Sequence, residues 1–302
     1  MSHFIDTLLD RIAASGAPIC IGFDPVYDKL PGEIRRKSPD ELDAIVAFAE
    51  RTFPVFAEHA PCIKIQSACF ERYGYAGVGV YEMLTHQARE LGLLVVGDAK
   101  RGDIGLTASH YARATLADPP PIEDMQTAAP HAVTVNSYFG SDGLVPFCDA
   151  ALGMGKGVFA LVRTSNPGGD AIQSLALADG RTVAQAVAQV VAQIGDDPRY
   201  IGQSGYSLLG AVVGATKPGD AARLRTLMPR QFFLVPGFGA QGGSAEDVRA
   251  CFKEDGTGAI ITASRSVIFA YQGSDDRDWL SAIHRAASAL REDVLKSVLQ
   301  RS

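Results

Sequence analysis

The stretch Leu93-Leu94-Val95-Val96-Gly97-Asp98-Ala99-Lys100-Arg101-Gly102-Asp103-Ile104-Gly105-Leu106-Thr107 decides how the rest of the chain is read. It opens as an apolar, strand-like run from Leu93 to Val96. It then passes into what reads as a loop with four charges within six residues: Asp98, Lys100, Arg101 and Asp103. Residues two apart in a strand share a face, so Asp98 and Lys100 should point the same way. Most charge clusters are solvated loops. Here a fully apolar strand leads directly into the charges, and helix signals resume from Thr107 to Leu116. That puts them at the C-terminal end of a parallel strand, where α/β enzymes keep their chemistry.

Outward from this stretch the same alternation repeats. A leading amphipathic helix carries Phe4, Ile5, Leu8, Leu9 and Ile12 at helical spacing and stops at Gly16. Strand-like runs follow at 18–24, 62–66, 93–98, 132–136, 157–162, 208–213, 232–235 and 259–262. Helical patterns separate them at about 38–58, 78–91, 107–116, 143–152, 182–194, 218–227 and 244–252, and a last one closes the chain from about 276 to 299. Eight strand–helix alternations fit an α/β fold of the (β/α)8 TIM-barrel class, with a leading N-terminal helix and an insert after strand 5. A doubly wound open sheet is the alternative, because a count does not prove closure. No linker or compositional break divides residues 1–302, which we read as a single domain with an elaborated connection at about 164–206. That connection carries its own helix and could be a lid or an enlarged crossover. A second, shorter enlargement runs from Asp118 to Pro130.

Bulk properties narrow the function classes. The 302 residues carry a formal charge of −6, so a phosphorylated ligand needs local positive residues. No basic tract with interleaved aromatics suggests nucleic acid, and no apolar run approaches a membrane span. Five scattered cysteines without a C-x-x-C pair read as free, mostly buried thiols in a reducing compartment. The six histidines show no metal-binding spacing. A cytoplasmic protein is expected.

Three further features carry chemistry. The run Phe232-Phe-Leu-Val-Pro-Gly-Phe-Gly-Ala-Gln-Gly-Gly243 contains G-x-G-x-x-G at Gly237, Gly239 and Gly242. Its place in the seventh β/α unit, not the first, argues against a dinucleotide site, but glycines there still let backbone N–H groups approach an anion. Ala263-Ser264-Arg265-Ser266 follows the eighth strand and offers an Arg for phosphate. Loops after strands seven and eight share a phosphate site in many barrels. Finally, Lys64 lies within the apolar second strand and Asp24 ends the first. With Asp98 and Lys100, three successive strands end in polar residues that can converge.

Asp98-Ala-Lys100-Arg-Gly-Asp103-Ile104 resembles the D-x-K-x-x-D-I signature of the orotidine 5′-phosphate decarboxylase family, and Pro236-Gly-Phe-Gly-Ala-Gln241-Gly-Gly resembles its phosphate loop. The order of elements agrees from Ile19 to about Ala270, and length and inserts look like the longer bacterial (type 2) subgroup. The resemblance implies a homodimer with shared sites: Asp98, Lys100 and Lys64 from one subunit, Asp103 and Thr107 from the other. It implies that Asp24 binds the ribose, and that Gly237, Gln241, Gly242, Ser264 and Arg265 surround the phosphate. Ser264 departs from the Gly usual before that Arg. The loop Thr164-Ser-Asn-Pro-Gly departs from the pyrimidine-contacting segment of shorter members, which leaves Ser165 and Asn166 as the candidates for that contact.

The implied reaction is decarboxylation of orotidine 5′-phosphate to UMP in de novo pyrimidine biosynthesis, with no metal or other cofactor. Loss of CO2 leaves an sp² carbanion at C6 with no adjacent carbonyl sink. A fixed ammonium, Lys100, beside that carbon would stabilise the charge and then deliver the proton. Two other readings stand. One is a Mg2+-dependent sugar-phosphate lyase or aldolase such as hexulose-phosphate synthase, which needs an acidic residue on the second strand, where this chain has Lys64 and Gln66, with Glu71 beyond the strand's end. The other is a non-catalytic nucleotide-binding module.

Overall fold

A computed structural model describes residues 3–120, 125–214, 218–238, 248–272 and 278–299. Eight strands pair in sequence order and close on themselves: β1 (Ile19–Phe23), β2 (Cys62–Gln66), β3 (Leu94–Arg101), β4 (Ala132–Val135), β5 (Gly157–Arg163), β6 (Leu209–Val213), β7 (Phe233–Pro236) and β8 (Ala259–Ala263). Every pairing is parallel, and β8 returns to β1 with Ile19 opposite Ile261. The open-sheet alternative is thereby excluded.

The helices lie where apolar periodicity and caps put them. Asp40 caps Glu41–His59, its carboxylate accepting from the Asp43 N–H at 2.9 Å. Thr182 and Gln185 form a reciprocal capping box at the start of Val183–Gly195. Gly16, at φ 72°, ends the leading helix Phe4–Ser15 in the left-handed conformation. A short helix, Gly32–Lys37, precedes the capped one and was not evident from apolar spacing. The helix expected over 244–252 falls mostly outside the described residues.

Strand parity divides the core in two. On each strand one set of alternate residues faces the helices and joins the large outer cluster, with Ile19, Ile21, Ile63, Ile65 and Val95 among them. The other set faces the barrel axis, where Cys20, Cys62, Leu94, Val96, Ala132, Phe159, Leu234 and Ile260 form a second cluster. The leading helix closes the N-terminal end of that interior: Phe4, Ile5 and Leu8 belong to the same inner cluster, and Phe4 meets Phe159 edge to face with ring centroids 6.2 Å apart. Continuing each inner series by two residues leads to Lys64 and Gln66 on β2, Asp98 and Lys100 on β3, Thr134 on β4 and Thr262 on β8.

One expectation needs revision. The charged segment after Gly97 is not a loop: β3 runs on to Arg101. Pairing with β4 resumes there after a register shift, Arg101 standing opposite Val135, and the Arg101 carbonyl accepts from the Asn136 N–H at 2.7 Å. The elaborated connection, left open between a lid and an enlarged crossover, sets its helix Val183–Gly195 against β5 and β6 as a barrel helix. Short turns lie on either side of it, Pro167–Gly169 with Asp170–Gln173 before and Pro198–Tyr200 after.

Near the base of β3, the Val95 N–H donates to Nδ1 of His131 at 3.0 Å, which requires that nitrogen to be unprotonated. Burial, helped by the nearby charges of Arg89 and Lys156, lowers the His131 pKa from 6.5 to about 4. The unfolded chain takes up a proton below about pH 6.5 that the folded chain refuses until about pH 4, so stability is lost as pH falls through that window. Urea unfolding should therefore show a loss of about 1–2 kcal/mol from this group between pH 7 and pH 5. A His131→Asn variant, whose amide oxygen accepts the same N–H without titrating, should lack that component; an unchanged pH profile in the variant would refute the assignment.

Candidate active site

At the C-terminal end of the barrel the inner residues open into a cavity of about 480 Å³, lined from β1, β2, β3, β4, β5, β6, β7 and β8. Its centre is Asp98, 6% exposed. Register sets Asp98 beside Gln66 of β2 and brings Lys64 of the same strand within reach. Four donors converge on the carboxylate: Lys64 Nζ at 2.6 Å and Gln66 Nε2 at 3.1 Å on Oδ2, Lys100 Nζ at 2.6 Å and the Thr134 hydroxyl at 2.9 Å on Oδ1. Asp24 approaches Lys64 from β1 at 3.5 Å.

The electrostatics follow from that packing. Burial alone would raise the Asp98 carboxyl, but the Lys64 and Lys100 ammoniums outweigh it and hold the pKa at about 2. Burial works against the charged form of Lys64, yet Asp24 and Asp98 raise its pKa above the ordinary value. Lys64 is thus a buried cation held between two carboxylates. Lys100 differs: its side chain is 45% exposed toward the cavity, so it is the ammonium presented to a ligand.

Lys100 is held there by its backbone. It is the non-glycine residue with positive φ among those described, at 48°, a conformation L-residues adopt at a cost. Its N–H donates to the Thr134 hydroxyl at 3.0 Å, and that same hydroxyl donates to Asp98. One side chain therefore fixes both the strained backbone and the counter-charge. Parity sends Arg101 the other way, to an ion pair with Glu71 on the outer layer. Glu71 does not line the cavity.

At the opposite rim, Gly237 (φ 99°) follows β7, and Ser264 and Arg265 follow β8, all three lining the cavity. Ser264 is accommodated by Gly22 on β1: a Cβ at position 22 would fall 2.7 Å from the Ser264 Cβ. The hydroxyls of Thr262 and Ser264 are buried without a hydrogen-bond partner among the described residues, an arrangement that favours a ligand or water with polar atoms. Arg265 is exposed at the cavity edge, heading the short helix Arg265–Ile268. Gln241 and Gly242 lie outside the described residues. Between the two polar ends, Leu161, Val212 and Leu234 make an apolar wall, and Thr164, Ser165 and Asn166 arch over it from the end of β5.

Of the residues singled out in the sequence, Asp24, Lys64, Asp98, Lys100, Ser165, Asn166, Gly237, Ser264 and Arg265 share this cavity. Asp103 and Thr107 do not line it; the Asp103 carboxylate accepts from the Ile104 N–H at 2.8 Å, at the entry to helix Gly105–Leu116. Gln66, Thr134 and Thr262 are site residues that motif reading missed, although the period-two series on each strand points to all three. Glu58, His59 and His284 form a cluster of metal-type side chains, but on the outer helices and away from the cavity lining; residues so far apart in sequence leave no spacing motif. The thiols of Cys20, Cys62 and Cys148 are free and buried, Cys69 is free and half-buried, and Cys251 is buried.

Comparison with known proteins agrees with this geometry. Residues 18–275 match the model of the Orotidine 5′-phosphate decarboxylase / HUMPS family. The orotidine 5′-phosphate decarboxylase of Rhodopirellula baltica is 39% identical over 97% of this chain and 99% of its own length. That of Deinococcus radiodurans is 38% identical over 96% of each. The solved structure of Leishmania donovani OMP decarboxylase superposes with a TM-score of 0.74 at 31% identity, covering 99% of both chains. With both the family model and near-full-length relatives in agreement, this chain belongs to the orotidine 5′-phosphate decarboxylase / HUMPS family.

Proposed function

We propose that the chain decarboxylates orotidine 5′-phosphate to UMP and CO2 as a step of de novo pyrimidine biosynthesis, acting as a single barrel domain. The observation that carries this is the Lys64–Asp98–Lys100 array, one carboxylate between two ammoniums at 2.6 Å each. In the step itself the C6–carboxylate bond breaks and its electron pair stays on C6. The Lys100 ammonium, already in place, stabilises that charge and transfers its proton to C6; solvent then reprotonates the amine. Asp98, ionised down to about pH 2, holds the ammonium in place and crowds the departing carboxylate. Arg265 and Gly237 hold the phosphate, with Ser264, Gln241 and Gly242 expected around it. Asp24 meets the ribose, and Ser165 and Asn166 meet the base.

The lyase reading of the same family is less well supported by the donor set. A divalent cation at Asp98 would sit against two ammoniums, β2 supplies Lys64 and Gln66 in place of an acid, and Glu71 is engaged with Arg101. We therefore assign no metal or cofactor to the step.

We further propose a homodimer that completes each site with Asp103 and Thr107 of the partner. Supporting it, the segment after β3 and the loop after β4 expose large apolar side chains, Leu106 at 75% and Tyr138 at 84%, with Ile104 and Phe139 beside them. Free thiols suit the cytoplasm, where we place the protein, and among the described residues no helix is long and apolar enough to cross a membrane.

Purified protein in excess EDTA should convert orotidine 5′-phosphate to UMP, followed by ultraviolet absorbance; activity abolished by EDTA would revive the Mg2+-dependent reading. Lys100→Ala should lose at least about 1000-fold in kcat while retaining its thermal midpoint, and near-native turnover would remove Lys100 from its role. Thr134→Val, which keeps shape but loses the bridging hydroxyl, should lower kcat by about 10- to 100-fold with little change in KM, and Thr134→Ser should restore most of it. Equal behaviour of the two would rule the hydroxyl out. Mixing Lys100→Ala with Asp103→Ala protein should recover part of the activity through heterodimers. No recovery would mean the sites are not shared.

A further inference from the structure

The extra turns after β5 have a purpose that follows from one buried residue. Arg163, the last residue of β5, is 2% exposed, and a guanidinium this deep must be matched charge for charge and bond for bond. Its Nε donates to Asp220 at 3.0 Å, in the first turn of helix Pro218–Leu227. Its Nη1 donates to Gln173 Oε1 at 3.1 Å; its Nη2 donates to Asp170 at 2.5 Å and to the Ser174 hydroxyl at 3.1 Å. Three of these four partners come from the turn Asp170–Gln173 and the residue after it, which belong to the elaborated connection and not to the barrel.

The same turn reaches back to the cavity wall. Gln173 Oε1 also accepts from the Thr164 N–H at 2.9 Å, and its amide donates to the Thr164 hydroxyl at 2.8 Å, which in turn donates to Asn166 Oδ1 at 2.6 Å. Two glycines leave room for this folding. A Cβ at Gly169 would lie 2.9 Å from the Thr164 hydroxyl, and one at Gly214, just past β6, would lie 3.0 Å from the backbone of Ser165. The arch Thr164-Ser165-Asn166 is thus clamped from behind by Gln173 and Arg163 and from the side by β6, while its other face lines the cavity.

We infer that Arg163, Asp170 and Gln173 are positioning residues that fix Ser165 and Asn166 against the edge of the pyrimidine, and that holding this arch is what the extra turn after β5 does. A hydroxyl and a primary amide each both donate and accept. They suit the alternating C=O and N–H groups of that edge, provided their directions are set beforehand. The inference rests on the decarboxylase reading and adds the residues that determine base recognition.

Gln173, half-buried and uncharged, is the position to change, because removing Arg163 strands two carboxylates and threatens folding. Full-length wild type, Gln173→Ala, Ser165→Ala and the double variant are compared by calorimetric titration with UMP and with ribose 5-phosphate, which lacks the base. Turnover of orotidine 5′-phosphate is measured alongside. Gln173→Ala should weaken UMP by about tenfold and leave ribose 5-phosphate within about twofold. The double variant should bind UMP no more weakly than the worse single one, because both changes disable the same arch. Parallel loss of both ligands, no loss of UMP affinity, or multiplicative losses in the double variant would overturn the inference. Absence of turnover in the wild type would instead sink the decarboxylase assignment, a separate readout from the ratio of the two affinities.

Discussion

A carboxylate that must stay ionised while nearly out of water constrains everything at the mouth of this barrel. Asp98 can remain charged there only because two ammoniums, an amide and a hydroxyl converge on it; a lone buried charge would cost several kcal/mol or neutralise itself. Those donors come from three neighbouring strands, so the register of β2, β3 and β4 is fixed by the same contacts that define the site. The arrangement is asymmetric in a useful way. Lys64 is consumed in balancing Asp24 and Asp98, whereas Lys100 meets the same carboxylate and still faces open space. Charge neutrality among the protein's own groups thus leaves one cation poised for a ligand.

The barrel's inner surface supplies the setting. Along β2, β3, β4 and β8 the axis-facing positions pass from Cys, Leu, Val, Ala and Ile near the base to Lys, Asp, Thr and Gln near the top. The apolar half drives closure of the sheet, and the polar half can exist because the apolar half is already packed beneath it. Folding and chemistry therefore occupy successive layers of one core.

This layering explains what could be read from the chain in advance. The eight apolar runs, the capped helices and the Asp98–Lys100 pair were legible because periodicity and charge both mark them. The extension of β3 through Arg101 was not: charged residues past a Gly look like a loop, and only pairing with Val135 makes them a strand. Thr134 and Thr262 were overlooked because a β-branched residue in a strand is ordinary by propensity; their importance lies in where the hydroxyl points. Arg163 falls just past the apolar run 157–162 and belongs to no motif. Its partners Asp170 and Asp220 are separated by an entire helix and strand, so no local pattern announces them. Asp103 lies within the charged motif, and yet it and Thr107 stand outside the cavity of a single chain.

The leading helix adds a consequence of a different kind. By pressing Phe4, Ile5 and Leu8 into the base of the barrel, it makes the interior a blind tube with one doorway. Whatever is bound and whatever is released must pass the same rim, in sequence. A small, uncharged fragment generated near Asp98 starts at the inner end of that tube with the rest of the molecule between it and solvent. In such a tube the fragment reaches solvent only by passing the larger product or by following it out.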